Sequence, residues 1–481
     1  MNARLVALAL SFVMCSCSRP ALEPTAPVAP SPAATKPAVP SALPVTQSTT
    51  NVITLPATTA VAPPSSKPAP VSVSSQTAHP DPDLASFYVG WDSKKKNDWV
   101  QSINVSTPSS CSTITGDVPV TLKAPGMTLV KAYCWQQPTK DNPSPWGHDA
   151  NLAPDLKLDA DGNASFVFHA DQFPNGPIIL HLYAKDGEKK QDYYELQLFN
   201  QGGVVWNQGL PKTDPPAAKG MKVVFADDFD GPLSIAKDNS GKYWTHWGGG
   251  DGSEWGFGEN DGPNNPFSQV KGQVKNYLRI HASKPGAKGT TGSLTTVHRD
   301  RTGFTAKAPC YFECRLLAQN ATGTWPAFWA TTQGGTGCDE IDALEGYGTN
   351  AKSGVIWTGY HVTTHFWGQP KPAWVAEKLK GPDGNPYDAH KMVETMAIGG
   401  KSSWSMTFHT YGFLVTPTET AYYFDDIEML RHPSGKLAAT QPIGLLINLA
   451  VGGGGWHPNL QRYGNQSDMW VDFVRVYQAE K

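Results

Sequence analysis

The sequence predicts an all-β protein with two β-sandwich regions that follow a long proline-rich segment. Three observations carry this prediction. Short runs that alternate apolar and polar residues recur from about residue 84 onward and are separated by turn-forming residues. No long run with the 3.6-residue period of an amphipathic helix interrupts them. Gly (46 residues), Pro (41) and Trp (16) are abundant, a composition typical of turn-rich β proteins.

Residues 1–18 predict a lipoprotein-type signal peptide. Arg4 precedes the apolar run Leu5–Met14, which is too short to span a bilayer as a helix. The run ends near Cys17, which follows a small serine and resembles the lipidated cysteine of bacterial lipoproteins. Cys15 is the weaker candidate, and an ordinary signal peptide is the alternative. We expect an exported protein that is lipid-anchored to a bacterial membrane, at the outer membrane or the cell surface.

Residues 19–82 predict a disordered linker. They are rich in Pro, Ala, Ser and Thr, carry few charges and show no apolar periodicity, so they cannot bury a core. A proline-rich chain is extended and semi-stiff. The segment therefore suits a tether that holds a folded unit away from a surface.

Residues 83–203 predict an immunoglobulin-like β-sandwich, because several short strands with regular turn signals fit a module of about 120 residues. Cys111 and Cys134 fall inside it, where an exported protein can hold a disulfide. Its tryptophans could form a sugar-binding platform, but one or two buried tryptophans are normal in such a module. We therefore favour a spacer. The tryptophans in question are Trp91, Trp99, Trp135 and Trp146.

After a second linker at 210–220, residues 218–479 predict one large domain of two stacked sheets, because strand-like runs continue without a long helix or an internal repeat. The formal net charge is −3, and there is no basic stripe, which argues against a nucleic-acid partner. Beyond the N-terminal run, no segment is long and apolar enough to cross a bilayer, so membrane contact is expected only through the lipid anchor. We expect a monomer.

The stretch DEIDALEG, from Asp339 to Gly346, carries four acids in seven residues. Alternate residues of a strand share a face, so Glu340 and Asp342 point the same way and Glu345 points away unless a β-bulge inserts one residue. With a bulge, the two glutamate Cα atoms lie roughly 13 Å apart. Their side chains could then lean toward the separation of about 5–5.5 Å found in retaining glycosidases. A calcium site and a solvated acidic edge are the alternatives.

The surrounding stretch TWPAFWATTQGGTGCDEIDALEGYG resembles the signature of glycoside hydrolase family 16 in its bulged Glu-x-Asp-x-x-Glu form. Further stretches resemble other strands of that family in the same order, and the resemblance covers about residues 220–479 and nothing earlier. It implies a jelly-roll β-sandwich with a concave glycan cleft. It also implies endo-cleavage of β-linked polysaccharides with retention. The further stretches are FADDFDG (225–231), APCYFECRLL (308–317), YHVTTHFWG (360–368), LLINLAVGGGGW (445–456) and VDFVRVYQ (471–478).

The resemblance implies a role for each acid, and the reaction that it implies needs no cofactor. Glu340 would be the nucleophile, Asp342 the auxiliary carboxylate and Glu345 the general acid/base. This division is physically sensible, because the attacking carboxylate must be ionised while the acid must start protonated. A nearby negative charge favours the protonated form of the acid by raising its pKa.

Several side chains near the acids are candidates for substrate binding. Trp325 and Trp329 are four residues apart on one strand and share a face, where they could stack on sugar rings or pack in the core. His365 shares a face with Trp367 and is a further candidate. A purely structural role for this histidine is the alternative. The resemblance adds a cleft-facing asparagine and a tryptophan after a glycine-rich loop. These two are Asn448 and Trp456.

The resemblance also implies a possible structural calcium on the convex side, with Asp472 at the position of a side chain that often binds it. The cysteine pairing is open. Cys310 and Cys314 are four residues apart on one strand, roughly 13 Å, which is too far for a disulfide. Cys338 could pair with either of them.

We expect β-1,3-glucan as the substrate, with mixed-linkage glucan, agar and carrageenan as alternatives. A transglycosylase would use the same three acids, so the sequence cannot separate it from a hydrolase. A glycan-binding protein that had lost catalysis should lack one of these acids, and all three are present.

Overall fold

The structure is a computed structural model that describes residues 98–187, 190–245, 265–283, 291–321, 323–347, 359–378, 389–395, 398–451 and 460–480. Within these ranges the regular secondary structure is almost entirely β-strand, with one α-helix, α1 (Ala373–Lys378), and short 3₁₀ helices at Ala170–Gln172, Pro216–Ala218 and Gln461–Tyr463. The all-β prediction is therefore confirmed. In this part of the chain no helix is long and apolar enough to span a membrane. The predicted signal peptide with Cys17, the linker 19–82 and residues 83–97 lie outside the described residues.

The N-terminal strands form two sheets around one core. The six-stranded sheet has the order β1-β9-β8-β5-β6, with β3 also on β9, and the smaller sheet has the order β2-β4-β7. Strand β4 alternates buried and exposed residues along its whole length, as a strand with one face on a core must. These strands are β1 (Asp98–Trp99), β2 (Asn104–Thr107), β3 (Ser112–Ile114), β4 (Asp117–Lys123), β5 (Leu129–Gln136), β6 (His148–Lys157), β7 (Asn163–His169), β8 (Gly176–Lys185) and β9 (Lys190–Asn200).

The C-terminal strands form two eight-stranded sheets. The front sheet has the order β11-β12-β15-β24-β17-β18-β19-β20, and the back sheet has the order β13-β14-β25-β16-β21-β22-β23, with β10 also on β25. These strands are β10 (Met221–Asp227), β11 (Ile235–Ala236), β12 (Tyr243–Trp244), β13 (Phe267–Lys271), β14 (Asn276–Ser283), β15 (Ser293–Thr295), β16 (Cys310–Ala318), β17 (Thr324–Thr332), β18 (Cys338–Glu345), β19 (Tyr360–Trp367), β20 (Ala389–Val393), β21 (His409–Val415), β22 (Glu419–Phe424), β23 (Ile427–Pro433), β24 (Ile443–Val451) and β25 (Gln466–Ala479).

Aromatic residues fill the space between the front and back sheets. The rings of Phe312 and Phe413 in the back sheet are stacked, with their centroids 4.8 Å apart. The ring centroid of Phe328 in the front sheet lies 6.0 Å from that of Phe413. All three are buried. This core fixes the front sheet, which carries the acidic stretch, on a rigid support.

The N-terminal sandwich packs on the outer face of the back sheet. An apolar cluster joins Ile179 and Phe199 of the sandwich to Leu317 and Trp470 of the back sheet. Strand β16 is buried at every position, because its outer face meets the sandwich at Leu317 and the linker residues 217–218 at Tyr311. The module therefore has a buried interface to the larger domain, and its role as a spacer stays a prediction.

The sandwich tryptophans do not form an open platform in the described structure. Trp135 is buried and donates from Nε1 to the Trp146 carbonyl at 2.9 Å. Trp146 is 38% exposed, and the ammonium of Lys401 lies 3.0 Å from its ring centroid. Trp91 lies outside the described residues, as does the side chain of Trp99.

Four cysteines are free thiols: Cys111, Cys134, Cys310 and Cys314. The disulfide expected inside the N-terminal sandwich is therefore absent. Cys338 pairs with neither Cys310 nor Cys314. Cys310 and Cys314 are both buried in the core, so they serve as small apolar side chains there.

The interface buries a glutamate, and this predicts how stability depends on pH. Burial raises the pKa of Glu195 from its ordinary 4.5 to about 7. The folded protein holds this proton while the unfolded chain loses it above pH 4.5, so stability should fall as the pH rises from about 4.5 to about 7, by about 3 kcal/mol. Unfolding by urea across this range tests the prediction. Glu195→Gln should remove this part of the pH dependence, and an unchanged pH profile in this variant would contradict the assignment.

Candidate active site

Strand β18 contains the β-bulge that the acidic stretch requires. Asp342 lies opposite Trp329 of β17, whereas Glu345 lies opposite Ala327, so three steps along β18 match two steps along its neighbour. The same mismatch occurs against β19, where the two acids lie opposite Thr363 and His361. The extra residue turns Glu345 to the face that already carries Glu340 and Asp342.

A histidine from the neighbouring strand lies among the first two acids. Nε2 of His365 is 3.9 Å from Oε1 of Glu340 and 3.6 Å from Oδ2 of Asp342. The Asp342 side chain is 4% exposed, that of Glu340 is 12% exposed and that of His365 is 23% exposed. Glu340 and His365 thus reach the surface of the sheet, while Asp342 lies beneath them.

Glu345 lies in a pocket of hydroxyl groups. The Tyr347 hydroxyl donates to its Oε1 at 2.7 Å, and the Thr363 hydroxyl donates to its Oε2 at 3.1 Å. Burial raises the pKa of the Glu345 carboxyl, and the nearby His365 and the two hydroxyls offset only part of this effect. A carboxyl that keeps its proton to a higher pH suits a general acid.

Tyr347 is a site residue that sequence reasoning missed. Its ring lies between Trp325, at 4.7 Å, and His361, at 4.8 Å in an edge-on contact. The available signal was an aromatic residue two positions after the third acid. Tyr347 lies beyond the last residue of the strand, so the alternation of strand residues does not predict where its side chain points. The hydrogen bond from Tyr347 to Glu345 could therefore not be predicted from the sequence.

Removing the Tyr347 hydroxyl should move the alkaline limb of the pH–rate profile. This hydroxyl stabilises the ionised form of Glu345, so Tyr347→Phe should raise the pKa of Glu345 further, and the activity that needs the protonated acid should persist to a pH about one unit higher. Thr363→Val should act in the same direction through the other oxygen. A profile of kcat/KM against pH that is unchanged, or shifted to lower pH, would contradict this role.

The two candidate tryptophans differ in exposure. Trp325 is partly exposed and can present its ring to a ligand, whereas Trp329 is only 3% exposed. Trp329 instead donates from Nε1 to the Asn448 side-chain oxygen at 2.7 Å, and Asn448 is itself only 4% exposed. Trp329 and Asn448 therefore lie at the floor of the site, bonded to each other, and their contact with sugar stays a prediction.

Histidines flank the acids on both sides along β19. The rings of His365 and Trp367 stack at 4.9 Å with an interplanar angle of 26°. At the other end, Nδ1 of His361 lies 2.6 Å from Nε2 of His390, and burial together with this neighbour lowers the pKa of His361 well below its ordinary value. His361 therefore stays neutral beside Glu345, its neighbour across the strands.

Asp472 does not fit the expected calcium site. Its carboxylate is fully buried and forms ion pairs with Arg315 and Lys275, which already neutralise it. A calcium ion would have to displace both cations, so the expectation for Asp472 is corrected. Glu340, Asp342 and His365 have ligand atoms within 4.8 Å of one another, but such groups are common without an ion. Trp456 lies outside the described residues.

Comparison with known proteins connects this geometry to carbohydrate-active enzymes. The family model described as "Glycosyl hydrolases family 16" matches residues 287–469, which include all three acids. The chain is 28% identical over 276 residues to the endo-1,3-1,4-beta-glycanase EglC of Rhizobium meliloti, covering 53% of this chain and 51% of that protein. It is also 28% identical over 221 residues to ExsH of the same organism, described by the same activity, covering 45% of this chain and 40% of that protein. The match to the family model supports a glycoside hydrolase.

Solved structures are similar over a comparable share of the chain. A laminarinase from Flavobacterium sp. UMI-01 superposes with a TM-score of 0.39 and 21% identity, covering 53% of this chain and 100% of that one. An endo-beta-1,3-glucanase from Pyrococcus furiosus superposes with a TM-score of 0.39 and 22% identity, covering 54% of this chain and 95% of that one.

Proposed function

We propose that residues 218–479 form a retaining, endo-acting glycoside hydrolase of the jelly-roll type that cleaves a β-linked polysaccharide, with β-1,3-glucan as the first substrate to test. The observation that supports this most strongly is the bulge in β18, which turns Glu345 to the face of Glu340 and Asp342. Three like charges on one face repel one another, so placing them together costs the fold stability. A retaining mechanism needs two of them close together.

The proposed reaction has two steps. In the first, the Glu340 carboxylate attacks the anomeric carbon while Glu345 gives its proton to the glycosidic oxygen, so the leaving sugar departs as an alcohol and the other sugar is bound to Glu340. In the second, Glu345 takes a proton from water, and that water displaces Glu340 from the anomeric carbon. Two inversions give net retention, and each proton taken is returned.

The neighbours of the acids suit these roles. His365 lies close to the two oxygens of Glu340 and Asp342, so it can hold Glu340 in place and offset the repulsion between the two carboxyls. Trp325 and the His365–Trp367 stack offer flat, partly exposed surfaces on either side of the acids. Flat aromatic faces suit the C–H faces of sugar rings.

The substrate is proposed from the similar proteins. EglC and ExsH are described as endo-1,3-1,4-beta-glycanases. This chain should therefore act on a glucan with 1,3 linkages, alone or mixed with 1,4 linkages. The full-length protein should release oligosaccharides from laminarin or mixed-linkage glucan in a glycan panel. If the protein cleaves only agar or carrageenan, the proposed substrate is wrong. If it cleaves no glycan of the panel, the proposed function is wrong.

We also propose that the N-terminal sandwich is immunoglobulin-like and that the protein is an exported lipoprotein anchored through Cys17. Support for the anchor is the apolar run that ends at this cysteine, followed by the proline-rich tether. In a bacterial host, Cys17→Ala should move the protein from the membrane fraction to the soluble fraction. If neither this variant nor Cys15→Ala is released, the lipoprotein assignment is wrong.

A further inference from the structure

The buried Glu195 of β9 joins the N-terminal sandwich to two loops of the larger domain. It is fully buried. Its Oε2 accepts from the Asn320 backbone N–H at 2.7 Å, and its Oε1 accepts from the hydroxyls of Ser405 and Tyr193. One carboxyl thus receives three donors, two of which belong to the larger domain.

The first of these loops leads to Trp325, beside the acids. The Gln319 side chain donates to the Glu195 backbone carbonyl at 2.6 Å, so residues 319 and 320 are both held by β9. The Thr324 hydroxyl donates back to the carbonyl of Ala321 at 2.7 Å. The next residue is Trp325, whose ring packs on Tyr347, the donor to Glu345.

The second loop supports the backbone beside the acid. Ser405 follows Trp404, whose ring is fully buried. A Cβ atom at Gly346 would lie 2.5 Å from Cη2 of Trp404, so this ring is in contact with the backbone between Glu345 and Tyr347. A shift of Trp404 would therefore displace Gly346, and the residues on both sides of Gly346 would move with it.

We propose that Glu195 is a positioning residue for the general acid Glu345, which makes the N-terminal sandwich a structural part of the active site rather than a spacer. This inference rests on the proposed function of Glu345 as the acid/base. Both loops that Glu195 holds end at the Glu345–Tyr347 segment, one through Trp325 and the other through Trp404.

Two variants distinguish the effect of the hydrogen bonds that Glu195 accepts from the effect of its charge. Glu195→Ala leaves the Asn320 N–H and the Ser405 hydroxyl without their acceptor in a buried place. Glu195→Gln keeps an amide oxygen for the Asn320 N–H, and its amide group can donate to hydroxyls that rotate to accept. Gln197 is a matched control, because it is equally buried on β9 but bonds to Asp468 of β25 and to neither loop.

The experiment uses the full-length protein and two readouts. The first is the rate on a glucoside with a poor leaving group relative to an activated aryl glycoside, which needs little help from an acid. Glu195→Ala should lower this ratio about tenfold or more, since small displacements of a catalytic group are costly, while Glu195→Gln and Gln197→Ala keep it near the wild-type value. The second readout is hydrogen exchange in residues 343–347, which should accelerate in Glu195→Ala alone.

The two readouts keep this inference separate from the proposed function. Equal loss on both leaving groups, or the same ratio in Glu195→Ala and Gln197→Ala, would mean that Glu195 only stabilises the interface, and this would overturn the inference. If the wild-type protein cleaves no glycan, the proposed function fails. Hydrogen exchange then still decides whether Glu195 holds the Glu345–Tyr347 segment, and unchanged exchange in Glu195→Ala would overturn that link.

Discussion

Glu340→Ser is expected to abolish hydrolysis of every glycan substrate, with a loss on the order of 10⁴-fold, the scale on which a single catalytic group acts. The reason is chemical, because a serine side chain has no carboxylate to form the bond to the anomeric carbon in place of Glu340. The fold should be retained, since Glu340 is only partly buried and lies outside the apolar core clusters of the described residues. Initial rates on laminarin and on an aryl glucoside measure the effect.

Azide provides the control for this variant. A small anion can enter the space of the missing carboxylate and attack the anomeric carbon in its place, so azide should restore turnover of an activated aryl β-glycoside and give the α-glycosyl azide. Asp342→Asn is the matched comparison, because it changes a neighbouring carboxyl that only tunes charge, and it should lower the rate much less. A Glu340→Ser enzyme that keeps substantial activity without azide would show that the nucleophile lies elsewhere.

Glu345→Ala is expected to discriminate between leaving groups. Substrates whose leaving oxygen needs a proton should lose about 10²–10⁴-fold in rate, the usual contribution of general acid catalysis, while an aryl glycoside with a stable phenolate should be nearly spared in its first step. Rates on a glucan oligosaccharide and on a dinitrophenyl glycoside, measured side by side, give the comparison. The pH profile should also lose its alkaline limb, because the group with the raised pKa is gone.

A metal site at these acids predicts a different pattern. Glu340, Asp342 and His365 are close enough to share an ion. Loss of any one would then lower the melting temperature, and a chelator would lower both stability and activity of the wild-type protein. We expect the chelator to have no effect on either. If Glu345→Ala slows both leaving groups equally and added metal restores stability, the acid/base assignment is wrong.

The sequence predicted the main geometric feature of the site. Period-two alternation places Glu345 on the wrong face, so three acids on one face require one inserted residue, and β18 contains it between Asp342 and Glu345. The two stacked sheets followed from the same alternation. These features are local or repetitive, and a pattern of residues along the chain is sufficient to predict them.

Contacts between distant parts of the chain could not be predicted in this way. Glu195 and Ser405 are 210 positions apart, and no local pattern links them. The contact between Trp404 and Gly346 could not be predicted either, because a residue in a loop does not follow the periodic pattern of a strand or a helix. The sequence considered each module alone, so it could not predict the interface between them.

The sequence also could not predict how deeply each side chain on one face of a strand is buried. Alternation correctly groups Trp325 with Trp329, but it cannot show that one ring is exposed and the other lies beneath the surface. Asp472 was assigned to a metal by position in a motif. The structure instead pairs it with Arg315, from the adjacent strand β16, and with Lys275, and both come from parts of the chain far away in sequence.

The stereochemistry of the first product tests the central claim most directly. Proton NMR during early hydrolysis of laminarin or mixed-linkage glucan distinguishes the two anomers before they equilibrate. Our account, in which Glu340 and Glu345 form a nucleophile and acid/base pair on one face of the bulged strand, predicts that the β-anomer of the new reducing end appears first and the α-anomer only later. Appearance of the α-anomer first would mean direct attack by water, and it would contradict the assignment of Glu340 as the nucleophile.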